Sequence, residues 1–184
     1  MSDRTNKIAD NTDKEDDVTK LILYRLRHYY VAVPEIEKSS KLNELLGSLE
    51  FNQVVIFTKD FEQATVLNKM INSPELPSMC IHPGISQQER IESYRQFKSY
   101  SARVMIVADE VGRGVNIEFV DIVINYDTPS DTDAYLYRFG RAGKFGIEGL
   151  AITFVSSAED KKVVESVQER FEVSIAELPA EINP

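Results

Sequence analysis

Short apolar runs and amphipathic stretches alternate along most of this chain. The runs fall at residues 54–57, 79–81, 104–107, 122–124 and 150–155. Each is too short for a buried helix and rich in Val and Ile, as a strand covered on both faces requires. Between them, Phe61–Ile71, 87–97, Thr132–Phe139 and 161–171 place apolar residues at helical spacing. Several of these stretches open on caps. Asp60 with Gln63, Ser86 with Glu89, and Ser157 with Asp160 each set an N-cap oxygen three residues before an acidic or amide side chain. Upstream, residues 23–33 form an apolar, Tyr-rich run that stops before Pro34, the reading of an opening strand. Residues 38–50 then carry Leu42, Leu45, Leu46 and Leu49 on one helical face. Strands alternating with helices predict an α/β domain with a mostly parallel sheet and helices on both faces. In such sheets ligands sit beyond the carboxyl ends of the strands.

The ends of the chain read differently. Residues 1–17 are polar and charged, the composition of a disordered leader or a cloning remnant, so the folded domain is expected over 18–184. After Phe171 a short run around Ile175 suggests an edge strand and then a tail.

Composition narrows the function classes. With 184 residues and 42% hydrophobic content, the chain suits one domain with a real core. No apolar run reaches the roughly 20 residues of a membrane span. One cysteine and two histidines give no disulfide and no metal cluster. Cys80, between Met79 and Ile81, reads as a buried small hydrophobe. The net charge of −9 argues against nonspecific nucleic-acid binding by the whole surface. Any nucleic-acid reading therefore rests on particular residues.

Those residues lie after the strands. Residues 135–146, Tyr-Leu-Tyr-Arg-Phe-Gly-Arg-Ala-Gly-Lys-Phe-Gly, set cations and glycines at short spacing. Glycine lets a backbone approach an anion closely, and Arg141 and Lys144 reach the same space, so the turn suits a polyphosphate. A solvated basic turn is the alternative. Upstream stand Thr58-Lys59-Asp60, then His82-Pro83-Gly84-Ile85-Ser86-Gln87-Gln88-Glu89-Arg90. Asp109 to Ile117 follow, with Gly112-Arg113-Gly114-Val115-Asn116, and then Asn125-Tyr126-Asp127.

In order and spacing these segments resemble motifs IV, IVa (Gln-x-x-Arg), V (Arg-Gly-x-Asp) and VI of the second RecA-like lobe of a DEAD-box RNA helicase. The likeness is greatest to the splicing and mRNA-export branch whose motif II reads Asp-Glu-Cys-Asp. Tyr29-Tyr30-Val31, the run from Phe51 to Phe57, the run from Gly149 to Ser156, and Gln168-Glu169-Arg170-Phe171-Glu172-Val173 carry that branch.

The resemblance implies an arginine finger at Arg141 and a second cation at Lys144, a point charge without the planar fork of arginine. It implies nucleotide contacts at Gly114, Asn116 and Arg138, although an ion pair within the lobe is the preferred reading of Arg138. It implies RNA contacts at Gly84, Gln87, Arg90, Ala108, Asp109 and Gly112, with Arg90 meeting a backbone phosphate. A surface ion pair with Glu89 or Glu92 is the alternative for Arg90. Asp109 is read as orienting its local backbone, His82 as a structural residue, and Phe57 and Phe97 as core. Five positions depart from the pattern: Asp60, Ala108, Asn116, Tyr137 and Lys144.

The phosphate-cradling Gly-x-x-x-x-Gly-Lys-Ser/Thr loop and the Asp-Glu-x-Asp sequence are not in this stretch. In the family they belong to the first lobe. The resemblance therefore implies ATP with Mg shared with an N-terminal RecA-like lobe, little ATP binding by this lobe alone, and no hydrolysis by it alone. RNA, that lobe and splicing or export adaptors are the implied partners. A nuclear location, no membrane and a monomeric isolated domain complete the expectation. The rival is a degenerate, non-catalytic module that binds RNA or a protein.

Overall fold

The computed structural model describes residues 26–81, 83–109, 120–139 and 149–181. The strands are β1 (Leu26–Ala32), β2 (Val54–Thr58), β3 (Ser78–Ile81), β4 (Val104–Ala108), β5 (Ile122–Asn125), β6 (Gly149–Val155) and β7 (Ile175–Glu177). They form one sheet in the order β3-β4-β2-β5-β6-β1-β7, and every pairing is parallel. The helices are α1 (Lys38–Ser48), α2 (Phe61–Ile71), α3 (Gln87–Lys98), α4 (Thr132–Phe139) and α5 (Ala158–Phe171), with a 3-10 turn at Glu35–Glu37 before α1.

Period two in the strands divides the core into two layers. Val54, Ile56, Val104, Ile106, Ile122, Ile124, Ile152 and Phe154 point to the face covered by α1 and α2, where Leu42, Leu45, Ala64, Leu67 and Ile71 meet them. Val55, Phe57, Met105, Val107, Val123 and Ala151 point to the other face, covered by Phe97 of α3, Tyr135 of α4 and Val164, Val167 and Phe171 of α5. Burying one such aliphatic side chain stabilises the fold by roughly 1.5–3 kcal/mol. The continuous apolar runs follow from this geometry, because a strand covered on both faces has no polar side.

The expected caps are in place. Asp60 accepts from Gln63 N at 2.9 Å, and Ser86 and Glu89 form a reciprocal capping box. At α5 Ser157 accepts from Asp160 N, but Asp160 Oδ2 accepts from Ser156 N, one residue upstream of the cap. Observed boundaries differ from the expected ones by a few residues: α1 stops at Ser48, and α5 starts at Ala158 rather than 161. Phe57 and Phe97 are core residues, and β7 is the expected edge strand beside β1. Cys80 is only half-buried; its side chain packs at the margin of the α1/α2 layer. The expected leader, His82 and residues 140–148 lie outside the described residues.

Candidate functional site at the carboxyl edge of the sheet

Beyond the carboxyl ends of β2, β4 and β5 the apolar pattern breaks, and polar side chains converge. Asn125, the last residue of β5, is fully buried and donates from Nδ2 to Thr153 Oγ1 of β6 at 3.1 Å. Two residues on, Asp127 is bound by two other elements. Lys38 Nζ donates to its Oδ1 at 2.9 Å, and the Lys59 N–H donates to its Oδ2 at 2.8 Å. Lys38 also pairs with Glu35 at 2.9 Å and lies over the Tyr126 ring. Burial works against its charge, yet the hydrogen bonds to Glu35 and Asp127 hold its pKa above the ordinary lysine value.

Arg138 completes the cluster from α4. It is 5% exposed. Nη1 donates to Asn125 Oδ1 at 3.1 Å and to the Asp127 carbonyl at 2.7 Å, Nη2 donates to Asp109, and the guanidinium lies over the Phe57 ring. Burial lowers its pKa, opposed by the nearby Asp109 and Asp127. An arginine stays protonated under such a shift. Burial likewise raises the Asp109 carboxyl above the ordinary carboxylate value, with Arg138 acting the other way.

One helical turn earlier on the same face of α4, Tyr135 is fully buried, with its hydroxyl 2.8 Å from His28 Nδ1 and in contact with Thr153. The short helix is thus fastened to the sheet by two polar anchors three residues apart.

A second group of predicted residues lies at the start of α3. Gly84 is exposed in the turn before the helix, and Gln87 is its first residue, also exposed. Arg90, in the first turn, is half-buried, with its Nε enclosed and without a hydrogen-bond partner. Its acidic neighbours are committed elsewhere. Glu89 accepts from Ser86 N at 2.7 Å, and Glu92 pairs with Arg95 at 3.5 Å. Among the described residues Arg90 makes no ion pair, so the surface-pair alternative is not the arrangement found.

Three of the candidate residues are engaged within the lobe itself. Arg138 forms the ion pair within the lobe that is its preferred reading: it is buried, donates to three acceptors on Asn125, Asp127 and Asp109, and lies over the Phe57 ring. Asp109, an RNA-contact candidate read as orienting its local backbone, pairs with Arg138. Ala108 is fully buried in the α1/α2 layer, where its methyl offers nothing to an RNA. Gly112, Gly114, Asn116, Arg141 and Lys144 lie outside the described residues, as does the side chain of Tyr137. Sequence reasoning gave no role to Lys38, Asp127, Thr153, Tyr135 or His28. The available signal was the polar break Asn125-Tyr126-Asp127 directly after an apolar run, and a lysine at the first position of a helix, where the dipole disfavours a cation.

A family model, the helicase conserved C-terminal domain, matches residues 37–146. Curated relatives include DEAD-box ATP-dependent RNA helicase 15 of Arabidopsis thaliana, 54% identical over 168 residues that make up 91% of this chain and 39% of the relative. ATP-dependent RNA helicase uap56 of Schizosaccharomyces pombe is 52% identical, with the same coverage of 91% and 39%. The chain therefore spans about two fifths of the length of the curated relatives it matches. Among solved structures, the C-terminal domain of the DEAD-box protein Dbp5 superposes with a TM-score of 0.78 at 28% identity, covering 83% of this chain and 89% of that one. S. cerevisiae Dbp5 bound to RNA and ADP BeF3 gives 0.74 at 27% identity, covering 84% of this chain and 42% of that one.

Proposed function

This chain belongs to the helicase conserved C-terminal domain family, and we propose that it works as the C-terminal RecA-like lobe of an ATP-dependent RNA helicase acting in nuclear splicing and mRNA export. The observation that carries the RNA half of this reading is Arg90. It is a cation in the first turn of α3, without an ion pair among the described residues, and beside the exposed Gly84 and Gln87. A backbone phosphate there would receive the guanidinium beside a turn that Ser86 and Glu89 already cap. Dbp5, a fold relative, is solved with RNA bound, which supports the same role here.

Two cations buried at the carboxyl edge are already paired, Lys38 with Asp127 and Arg138 with Asp109. They do not fit the phosphates of a nucleotide, which would have to meet other residues. In this proposal those are Arg141 and Lys144, together with a first lobe supplying the remaining phosphate and magnesium ligands. Arg141 would oppose charge on the terminal phosphate as two lobes close, and closure would bend one RNA strand so that a short duplex opens locally. The lobe by itself hydrolyses no ATP in this scheme.

The test is RNA-stimulated ATP turnover by this chain joined to the first lobe of one of its relatives, with Arg141→Ala alongside. Turnover that depends on RNA and falls by roughly 10³-fold or more in the variant supports the finger and the helicase reading. A folded joined protein that binds RNA without turnover would favour the non-catalytic module.

A further inference from the structure

Two carboxylates compete for one buried guanidinium, and Lys38 decides between them. Arg138 gives Nη2 to Asp109, yet Asp127 acts on it too, and its carbonyl already holds Nη1 at 2.7 Å. The two acids are not equal. The Asp127 side chain is 8% exposed and that of Asp109 is 41% exposed. A buried carboxylate stripped of its cation is costly, whereas a half-exposed one can fall back on water. Without a second cation, Arg138 would therefore turn to Asp127 and abandon Asp109. The second cation is Lys38, 3% exposed, reaching over the sheet edge from the α1 face. Its position runs against local preference, since a lysine at the first residue of a helix opposes the helix dipole. The compensation is tertiary: Glu35 and Asp127 surround the ammonium at 2.9 Å each.

We propose that Lys38 is a positioning residue: by neutralising Asp127 it leaves Arg138 to Asp109, and so ties the carboxyl end of β4 to the last turn of α4. These are the ends from which residues 110–119 and 140–148 depart. The pairing itself is a property of the lobe. Its consequence for turnover rests on the helicase reading above.

The carboxyl resonance of Asp109 reports the pairing in this chain directly. In Lys38→Met the Asp109 midpoint rises, because the guanidinium that favoured its charged form has moved to Asp127. Lys38→Gln, which keeps a hydrogen bond to Asp127 but no charge, shifts it the same way and serves if the Met variant does not fold. In Lys38→Met/Asp127→Asn the competing charge is gone, and the Asp109 midpoint returns to its original value. Because an uncompensated Asp127 charge raises the Asp109 midpoint through space as well, the Arg138 Nη resonances decide the partner: they shift in the single variant and return in the double one only if the guanidinium itself has moved. An Asp109 midpoint unmoved in a folded neutral variant, or unrestored in the double variant, overturns the proposal. In the joined two-lobe protein, Lys38→Met lowers kcat by roughly tenfold or more with the KM for ATP little changed, and the double variant recovers it. Carboxyl shifts as expected with kcat unchanged would keep the pairing and remove its catalytic consequence, pointing at the helicase reading instead.

Discussion

The Tyr135 hydroxyl lies 2.8 Å from Nδ1 of His28, joining α4 to β1 across 107 residues of sequence. Both residues are buried, so the contact is made where water cannot replace it. Tyr135→Phe keeps the ring and removes only the hydroxyl. It should destabilise the fold by about 1–3 kcal/mol, the cost of stranding buried polar partners. Urea unfolding measures this: the midpoint should fall while the slope stays constant, and an unchanged midpoint would show that the pair contributes nothing.

Arg90→Ala should weaken RNA binding across sequences and reduce the salt dependence of affinity by about one phosphate contact. Titrations of single-stranded RNA against the joined two-lobe protein at several salt concentrations supply both numbers. An unaltered slope would mean that Arg90 meets no phosphate.

Tyr100 follows α3 with φ 62°, a left-handed conformation that strains any side chain, and its ring is exposed at 62%. Nothing in the core depends on that ring. Tyr100→Gly should raise stability by about 0.5–1 kcal/mol, the relieved strain being partly offset by the greater freedom of glycine in the unfolded chain. Thermal unfolding of the variant decides the sign.

Burial pushes the Cys80 thiol up to about 11, although a hydrogen bond with Thr65 acts the other way. The thiolate is the reactive form, so alkylation of folded protein at pH 8 should be slow and should speed up as pH rises toward that value. Unfolded protein, with an ordinary thiol pKa near ~8.5, should react faster at pH 8. Iodoacetamide labelling with and without urea makes the comparison. Equal rates would place the thiol in water.

How much of this was legible in the sequence depends on range. The strands and helices were readable because the features that specify them are local. A run such as residues 54–57 has no polar face to present, and Ser86 with Glu89 closes a cap within four residues. The order of segments after the strands was readable too, and it pointed to the carboxyl edge, where Asn125, Asp127 and Arg138 meet. What sequence could not decide was the commitment of each polar side chain. Arg138, Asp109 and Ala108 stand at motif positions, yet two of them are spent on each other and the third is in the core. Lys38 and Asp127 are 89 residues apart, and nothing local marks them as a pair.

By itself, then, the sequence determined an α/β domain with covered strands, capped helices and polar residues gathered beyond the strand ends, because periodicity and capping act within a few residues. Only the tertiary structure decided which carboxylate holds Arg138, that Lys38 crosses the sheet edge to neutralise Asp127, and that His28 meets Tyr135. Those choices depend on burial, and burial depends on which strands lie side by side in the order β3-β4-β2-β5-β6-β1-β7.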